Sequence, residues 1–174
     1  MNRTFLTALC FGVFSVALAV PASAASACYT PAELHARQVL RLHSELMVIA
    51  IACRTGSDGE NLINAYTGFT QDNLDTIRDA EQTMIRYYSR HDGGSGIPQL
   101  DTLRTRLGNE ASQQMALMSS PVFCAQYRDM VTDYYYDTPS QIEGSVNHMV
   151  IQAAARHSCI IADSGETVVA KATH

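Results

Sequence analysis

The sequence predicts an all-α domain: a bundle of four to five helices around a buried first helix, stabilised by two disulfides. Apolar residues recur at alternating spacings of three and four over long stretches, which is the period of an amphipathic helix. No stretch has a convincing strand pattern. Four of the five cysteines remain once a signal peptide is removed. An even number of cysteines in an exported chain indicates a disulfide framework.

Residues 1–24 have the pattern of a secretory signal peptide. Arg3 lies in a short basic region, an apolar run follows from Phe5 to Val20, and Ala22-Ser23-Ala24 matches a cleavage motif. A second motif of the same kind ends at Ala27, so cleavage after Ala27 is the alternative to cleavage after Ala24. We expect the signal to be removed, because the apolar run is short and ends in small residues.

Removal of the signal leaves a helical domain over residues 25–160 and a flexible tail over residues 161–174. Lipidation of Cys28 is the less favoured alternative, because Ala25 stands where lipoprotein signals usually carry a large aliphatic residue. We therefore expect a periplasmic or secreted protein. Without Arg3 the chain has 11 basic and 17 acidic side chains. Such a charge balance predicts neither nucleic-acid binding nor attraction to an anionic membrane surface.

The first helix has a clear predicted start in the segment TPAEL. Thr30 can cap the helix, Pro31 suits its first position, and Glu33 completes a capping box. We expect the helix to run to about Arg54. Its uncharged stretch, residues 46–53, is far shorter than the roughly 20 residues needed to cross a bilayer. Because that stretch is apolar on every face, it predicts that this half of the helix is surrounded by other helices.

Four further helices are expected along the chain. The second runs from about Gly59 to His91, with a kink predicted at Gly68. The glycine-rich segment of residues 91–98 is expected to be a plain loop, because no strand precedes it and no GxGxxG or Walker pattern is present. The remaining three helices are expected from Pro98 to Met118, from Ser119 or Ser120 to Tyr135, and from the DTPSQIE segment to near Cys159.

Cys28, Cys53, Cys124 and Cys159 are the expected disulfide residues. A continuous first helix, rising about 1.5 Å per residue, holds Cys28 and Cys53 more than about 30 Å apart. Bridged Cα atoms lie within about 7 Å of each other, so these two are not paired. Helices one to three running up, down and up favour Cys53–Cys124 together with Cys28–Cys159. An antiparallel fifth helix would instead bring Cys159 to Cys53.

Six histidines raise the hypothesis of a metal or haem site. His35 and His43 are two helical turns apart, and His148 and His157 are nine residues apart. The chain has no HExxH, Glu-x-x-His or CxxC pattern, so no zinc site, di-iron site, covalent haem or other cofactor is predicted. Non-covalent haem held by Met47 together with His148 or His157 belongs to the alternative function. Since GxSxG is absent and the one lysine lies in the tail, no enzyme is predicted.

The most unusual local feature is DYYYD, residues 133–137. Tyr134, Tyr135 and Tyr136 cannot all point inward from one helix, so at least one is expected on the surface. Tyrosine offers a large contact area with a polar tip and is favoured at interfaces. We therefore expect the three tyrosines to contact a partner protein. In the alternative, Tyr134 and Tyr135 complete the core and Tyr136 simply lies on the surface.

The segments ELMVIAIACR, NAYTGF, GIPQLDTLRTRLGNEAS and VFCAQY resemble a group of small exported all-helical proteins of alphaproteobacteria. The resemblance spans most of the mature chain and implies one helical domain and a periplasmic address, but no activity. Cys53 and Cys124 match cysteines of that group, which agrees with their pairing. We expect a non-catalytic, soluble envelope protein that binds or stabilises a protein partner. The alternative is a periplasmic helical bundle that binds a ligand, a metal or haem.

Overall fold

Six α-helices make up most of the described chain, which in the computed structural model comprises residues 28–55, 59–156, 160–161 and 167–168. The helices are Pro31–Ala52 (α1), Gly59–Asp72 (α2), Leu74–His91 (α3), Ile97–Leu117 (α4), Ser120–Tyr136 (α5) and Pro139–Arg156 (α6). A two-residue antiparallel ladder pairs Ile160–Ile161 (β1) with Thr167–Val168 (β2). The predicted all-α class is confirmed. The predicted signal peptide and most of the predicted tail lie outside the described residues.

The start of α1 is fixed by the predicted capping box. The Thr30 hydroxyl accepts a hydrogen bond from the Glu33 N–H at 3.2 Å, and the Glu33 carboxylate accepts one from the Thr30 N–H at 2.8 Å. Pro31 occupies the first turn, where its missing N–H costs nothing. Glu33 also pairs with Arg90, which ties the start of α1 to the end of α3. Cys53 caps the other end of the helix, next to the predicted end at Arg54.

α1 packs against all five of the other helices, which confirms it as the centre of the bundle. Leu46, Ile49 and Ala50 are buried there, whereas Ile51 is 47% exposed. The expectation that the last turns of α1 are covered on every face is therefore wrong. In the described structure, Ile51 lies on the solvent side of those turns. None of the helices within the described residues is long and apolar enough to cross a membrane.

The predicted number of four to five helices is wrong, because the expected second helix is two helices. Asn73 departs from helical geometry with φ −108° and ψ 17°. Its side-chain amide donates to the Phe69 carbonyl at 2.9 Å, and its backbone N–H donates to the same carbonyl at 3.0 Å. Asparagine commonly competes with the helix for backbone hydrogen bonds in this way. The break is therefore at Asn73 and not at Gly68.

This break gives α2 and α3 different neighbours. α2 packs mainly against α5, whereas α3 packs mainly against α1 and α4. The junction also leaves room beside α1, at the cavity described below.

One disulfide is complete within the described residues. It joins Cys53, at the end of α1, to Cys124, in the first turns of α5, with Cα atoms 5.5 Å apart. This confirms the favoured pairing of Cys53 with Cys124, and within the described residues it is one complete bridge of the two that were predicted for the chain. Cys28 is also disulfide-bonded, to a partner outside the described residues. Cys159 lies outside them as well, so its pairing with Cys28 stays a prediction.

The glycine-rich loop between α3 and α4 follows a defined course. Gly93, Gly94 and Gly96 have φ values of 75°, 75° and 72°. Residues with a Cβ rarely adopt this left-handed region. A Cβ on Gly96 would lie 2.3 Å from the Ile85 carbonyl oxygen, whereas one on Gly93 would meet nothing within 4 Å. Gly96 therefore allows the start of α4 to pack directly on the backbone of α3.

Candidate functional site

The three consecutive tyrosines lie at the C-terminal end of α5 and divide between core and surface. Tyr134 is half-buried, and its ring meets Phe69 edge-on with ring centroids 6.3 Å apart. Tyr135 is 37% exposed and Tyr136 is 80% exposed. This division agrees with the expectation that the run cannot be buried as a whole. Tyr134 packs on the core, as in the interpretation in which tyrosines complete the core. Tyr136 projects from the surface, as a partner contact requires.

The Tyr135 ring lies directly against the backbone of α2. A Cβ on Gly68 would be 2.3 Å from Cε2 and 2.9 Å from Cδ2 of that ring. Real Cβ atoms do not approach other atoms so closely, so the ring fits there because residue 68 is glycine. The Tyr136 ring meets Tyr135 edge-on, with centroids 4.9 Å apart. Gly68 therefore helps to set the position of both outer rings relative to α2.

A shallow groove of about 440 Å³ lies beside these rings, between α2 and α5. Its walls carry aromatic, amide and hydroxyl groups and no charged group, and we call them the tyrosine surface: Asn61, Asn64, Ala65, Thr132, Tyr135 and Tyr136. The hydroxyls of Tyr135 and Tyr136 make no hydrogen bond within the described part of the chain. They are therefore available to an external partner.

The histidines do not converge on a metal site in the described residues. His35 lies 3.1 Å from a carboxylate oxygen of Glu143, and His148 lies 2.8 Å from the amide nitrogen of Gln152. Within residues 28–55 and 59–156, no three histidine, cysteine, aspartate or glutamate side chains are grouped to hold a metal ion. His157 lies outside the described residues. His35 and His148 therefore each have a separate side-chain partner, and the fourth described histidine, His91, packs its ring against Tyr87 with centroids 4.7 Å apart.

His43 is half-buried on α1, where its ring faces α2. Its Nε2 atom is 2.9 Å from the Tyr66 hydroxyl oxygen and 3.3 Å from the Thr70 hydroxyl oxygen. The imidazole ring stacks on Tyr66 with centroids 5.5 Å apart. Burial, together with the positive charge of Arg104, lowers the pKa of His43 from 6.5 to about 4. The imidazole is therefore neutral at pH 7.

A cavity of about 300 Å³ lies beside His43, between α1, the α2–α3 junction and α6. Its floor is made of buried apolar side chains: Val39, Leu42, Phe69, Ile77 and Val146. Its mouth is more exposed and more polar: Asn73, Thr76, Pro139 and Glu143. The sequence suggested His43 only as a metal ligand. It gives no sign of the cavity, because the walls come from four separate helices whose packing no local pattern reveals.

The two features differ in what they can bind. The tyrosine surface is shallow and rich in aromatic and amide groups, which suits contact with another protein. The His43 cavity is apolar at its floor, with few polar groups, which suits a small molecule. No protein-family model matches the chain, no curated protein is significantly similar to it, and no solved structure matches it significantly.

Proposed function

We propose that this chain is a non-catalytic binding protein of the cell envelope that docks a protein partner on the tyrosine surface. The observation that carries the proposal is the packing of the Tyr135 ring on Gly68, beside a Tyr136 ring that is 80% exposed. Large rings contribute much contact area at an interface. A ring already held in place loses less conformational entropy on binding than a mobile side chain.

The chemistry of the tyrosine surface defines the kind of contact. Its lining groups are uncharged, so binding relies on ring burial and on hydrogen bonds from tyrosine hydroxyls and asparagine amides. Interactions of this kind are screened little by salt, in contrast to exposed ion pairs. We therefore expect partner binding to change little between low and physiological ionic strength.

Export is part of the same proposal. Removal of residues 1–24 would deliver the domain to the periplasm or outside the cell, as in the small exported helical proteins that it resembles. The Cys53–Cys124 disulfide supports this location, because disulfides persist mainly in oxidising compartments. The second bridge, Cys28–Cys159, belongs to the proposal and would tie the start of the domain to the end of α6.

Two glycine variants test the proposal. Gly68→Ala places a methyl group where the Tyr135 ring lies, so it displaces the ring and keeps all three tyrosines. Gly108→Ala, within α4, is the matched control, because a Cβ there meets nothing within 4 Å. Circular dichroism should show both variants folded.

The readout is capture of a partner from envelope extract by the oxidised proteins. We expect wild type and Gly108→Ala to capture the same protein at a fixed stoichiometry, and Gly68→Ala to capture about tenfold less, the usual effect of losing an interface anchor. Tyr136→Ser should also lose the partner. Undiminished capture by both Gly68→Ala and Tyr136→Ser would show that the partner does not bind at the tyrosine surface.

A further inference from the structure

The size and lining of the His43 cavity indicate a small apolar ligand. Its volume of about 300 Å³ is roughly twice that of an engineered protein cavity that binds benzene. The buried floor residues Leu42, Phe69 and Val146 are all apolar. A ring with a short alkyl substituent would fill this space, because interiors are most stable when packed without voids.

His43 gives this apolar cavity a polar group with unused bonding capacity. Its Nε2 atom already contacts Tyr66 and Thr70. Its Nδ1 atom makes no hydrogen bond within the described residues. This atom is also not completely buried. His43 lines the cavity wall, and Nδ1 is the ring nitrogen left to pair with a ligand.

The ligand group that matches this nitrogen is a hydroxyl. If the Tyr66 O–H donates to Nε2, then Nδ1 carries the ring proton and is a donor. If Nε2 carries the proton instead, then Nδ1 is an acceptor. A hydroxyl both donates and accepts, so it satisfies His43 in either tautomer, whereas a carbonyl satisfies only one.

The groups that line the cavity favour an uncharged ligand. Arg104, whose charge acts on His43, is not part of the lining and is paired with Glu81. The floor offers no counterion, so a charged group would lose its hydration without compensation. The Glu143 carboxylate at the mouth, paired with His35, would also repel an anion. A carboxylate version of the same molecule should therefore bind much more weakly than the alcohol.

We propose that the His43 cavity is a binding site for a small, neutral, apolar molecule that carries a hydroxyl group, such as an alkylphenol or a cyclic alcohol. The apolar body fills the floor, and the hydroxyl pairs with Nδ1 of His43. This site is separate from the tyrosine surface. The ligand proposal therefore goes beyond partner binding and does not depend on it.

Three probes of similar shape test the proposal on the oxidised, full mature chain: 4-ethylphenol, ethylbenzene and 4-ethylbenzoate. Amide chemical shifts measured by NMR locate the binding, and their titration gives each dissociation constant. We expect 4-ethylphenol to shift the amides of Leu42, Ile77 and Val146. It should bind about fivefold to tenfold more tightly than ethylbenzene, the gain typical of one hydrogen bond, and more than about tenfold more tightly than 4-ethylbenzoate.

Variants at the mouth and at the ring nitrogen complete the test. Thr76→Trp covers the mouth from an exposed position and should weaken 4-ethylphenol about tenfold or more. Thr105→Trp, exposed on α4 away from the cavity, should leave binding unchanged. His43→Phe should keep ethylbenzene binding and abolish the preference for the phenol. Shifts confined to other regions, equal affinities for the phenol and the hydrocarbon, or no effect of Thr76→Trp would each overturn the proposal.

Discussion

His43 makes a sharp prediction about how stability depends on pH. In the folded protein, burial and Arg104 lower its pKa to about 4, against an ordinary value of 6.5. Between pH 4 and 6.5 the unfolded chain therefore binds a proton that the folded chain does not bind. The free energy of unfolding should rise with pH across this window. Above pH 6.5 His43 is neutral in both states and costs no stability, and the cost of keeping it neutral in the folded protein grows as the pH falls toward 4.

The size of the effect follows from the two pKa values. Each pH unit corresponds to about 1.36 kcal/mol for one proton, so the interval from 6.5 to about 4 corresponds to about 3 kcal/mol. That is a large part of the total stability of a typical domain, which is about 5–15 kcal/mol. Protonation of this one imidazole should therefore move the denaturation midpoint measurably.

The assay compares wild type with His43→Phe in urea denaturation, followed by circular dichroism between pH 4 and pH 7.5. Phenylalanine keeps a ring of similar size and cannot be protonated. Carboxylates titrate in both proteins, so their contributions cancel in the difference between the two unfolding free energies. We expect that difference to change by about 3 kcal/mol across the window. Parallel curves for the two proteins would refute a lowered pKa of His43 in the folded protein.

Three further predictions concern stability. Gly96→Ala should destabilise the fold by about 2 kcal/mol or more relative to Gly93→Ala in thermal denaturation. Both glycines have left-handed backbone angles, but only a Cβ at residue 96 would meet a backbone oxygen. Equal losses of stability in the two variants would contradict this packing. Replacing Cys53 and Cys124 together by serine should cost about 4 kcal/mol in urea denaturation, given a sequence separation of 71, and an unchanged midpoint would argue against a structural bridge. Leu46→Ala, in the fully buried centre of α1, should cost about 2–5 kcal/mol by the same assay, and a loss below about 1 kcal/mol would mean that this position is not in the core.

Local sequence signals predicted most of the helix boundaries. The Thr30–Glu33 capping box is present, and α1 ends next to the predicted residue. Pro98 and Pro121 lie in the first turns of α4 and α5, as expected for residues that favour helix starts. These signals succeed because capping and proline effects depend on residues only a few positions apart.

Features that depend on tertiary packing were harder to predict. A glycine within a helical pattern predicted a kink at Gly68. In the structure Gly68 instead makes room for the ring of Tyr135, which is far away in sequence. Asn73 breaks the helix by bonding the Phe69 carbonyl, a choice that an isolated pattern does not reveal. Ile51 continues an apolar run and is nevertheless exposed. In each case the conformation or exposure of the residue depends on which neighbouring helices pack against it.

The candidate sites show the same division. The DYYYD segment pointed to an exposed aromatic residue, because three consecutive positions of one helix cannot share one face. The groove beside it needs Asn61 and Asn64 from α2 as well, and their proximity to Tyr136 follows only from the packing of α2 on α5. The sequence named His43 only together with His35, His148 and His157, as a candidate metal ligand, and only the fold brings α6 to its side.

Photo-crosslinking in intact cells is the measurement that tests partner binding at the tyrosine surface most directly. A benzophenone amino acid replaces Tyr136 in the full chain, and in a matched protein it replaces Ile151, which is 67% exposed on α6. We predict that irradiation joins position 136 to one envelope protein in a single adduct and that position 151 gives no such adduct. No adduct from position 136, or the same adduct from both positions, would contradict a partner site on the tyrosine surface.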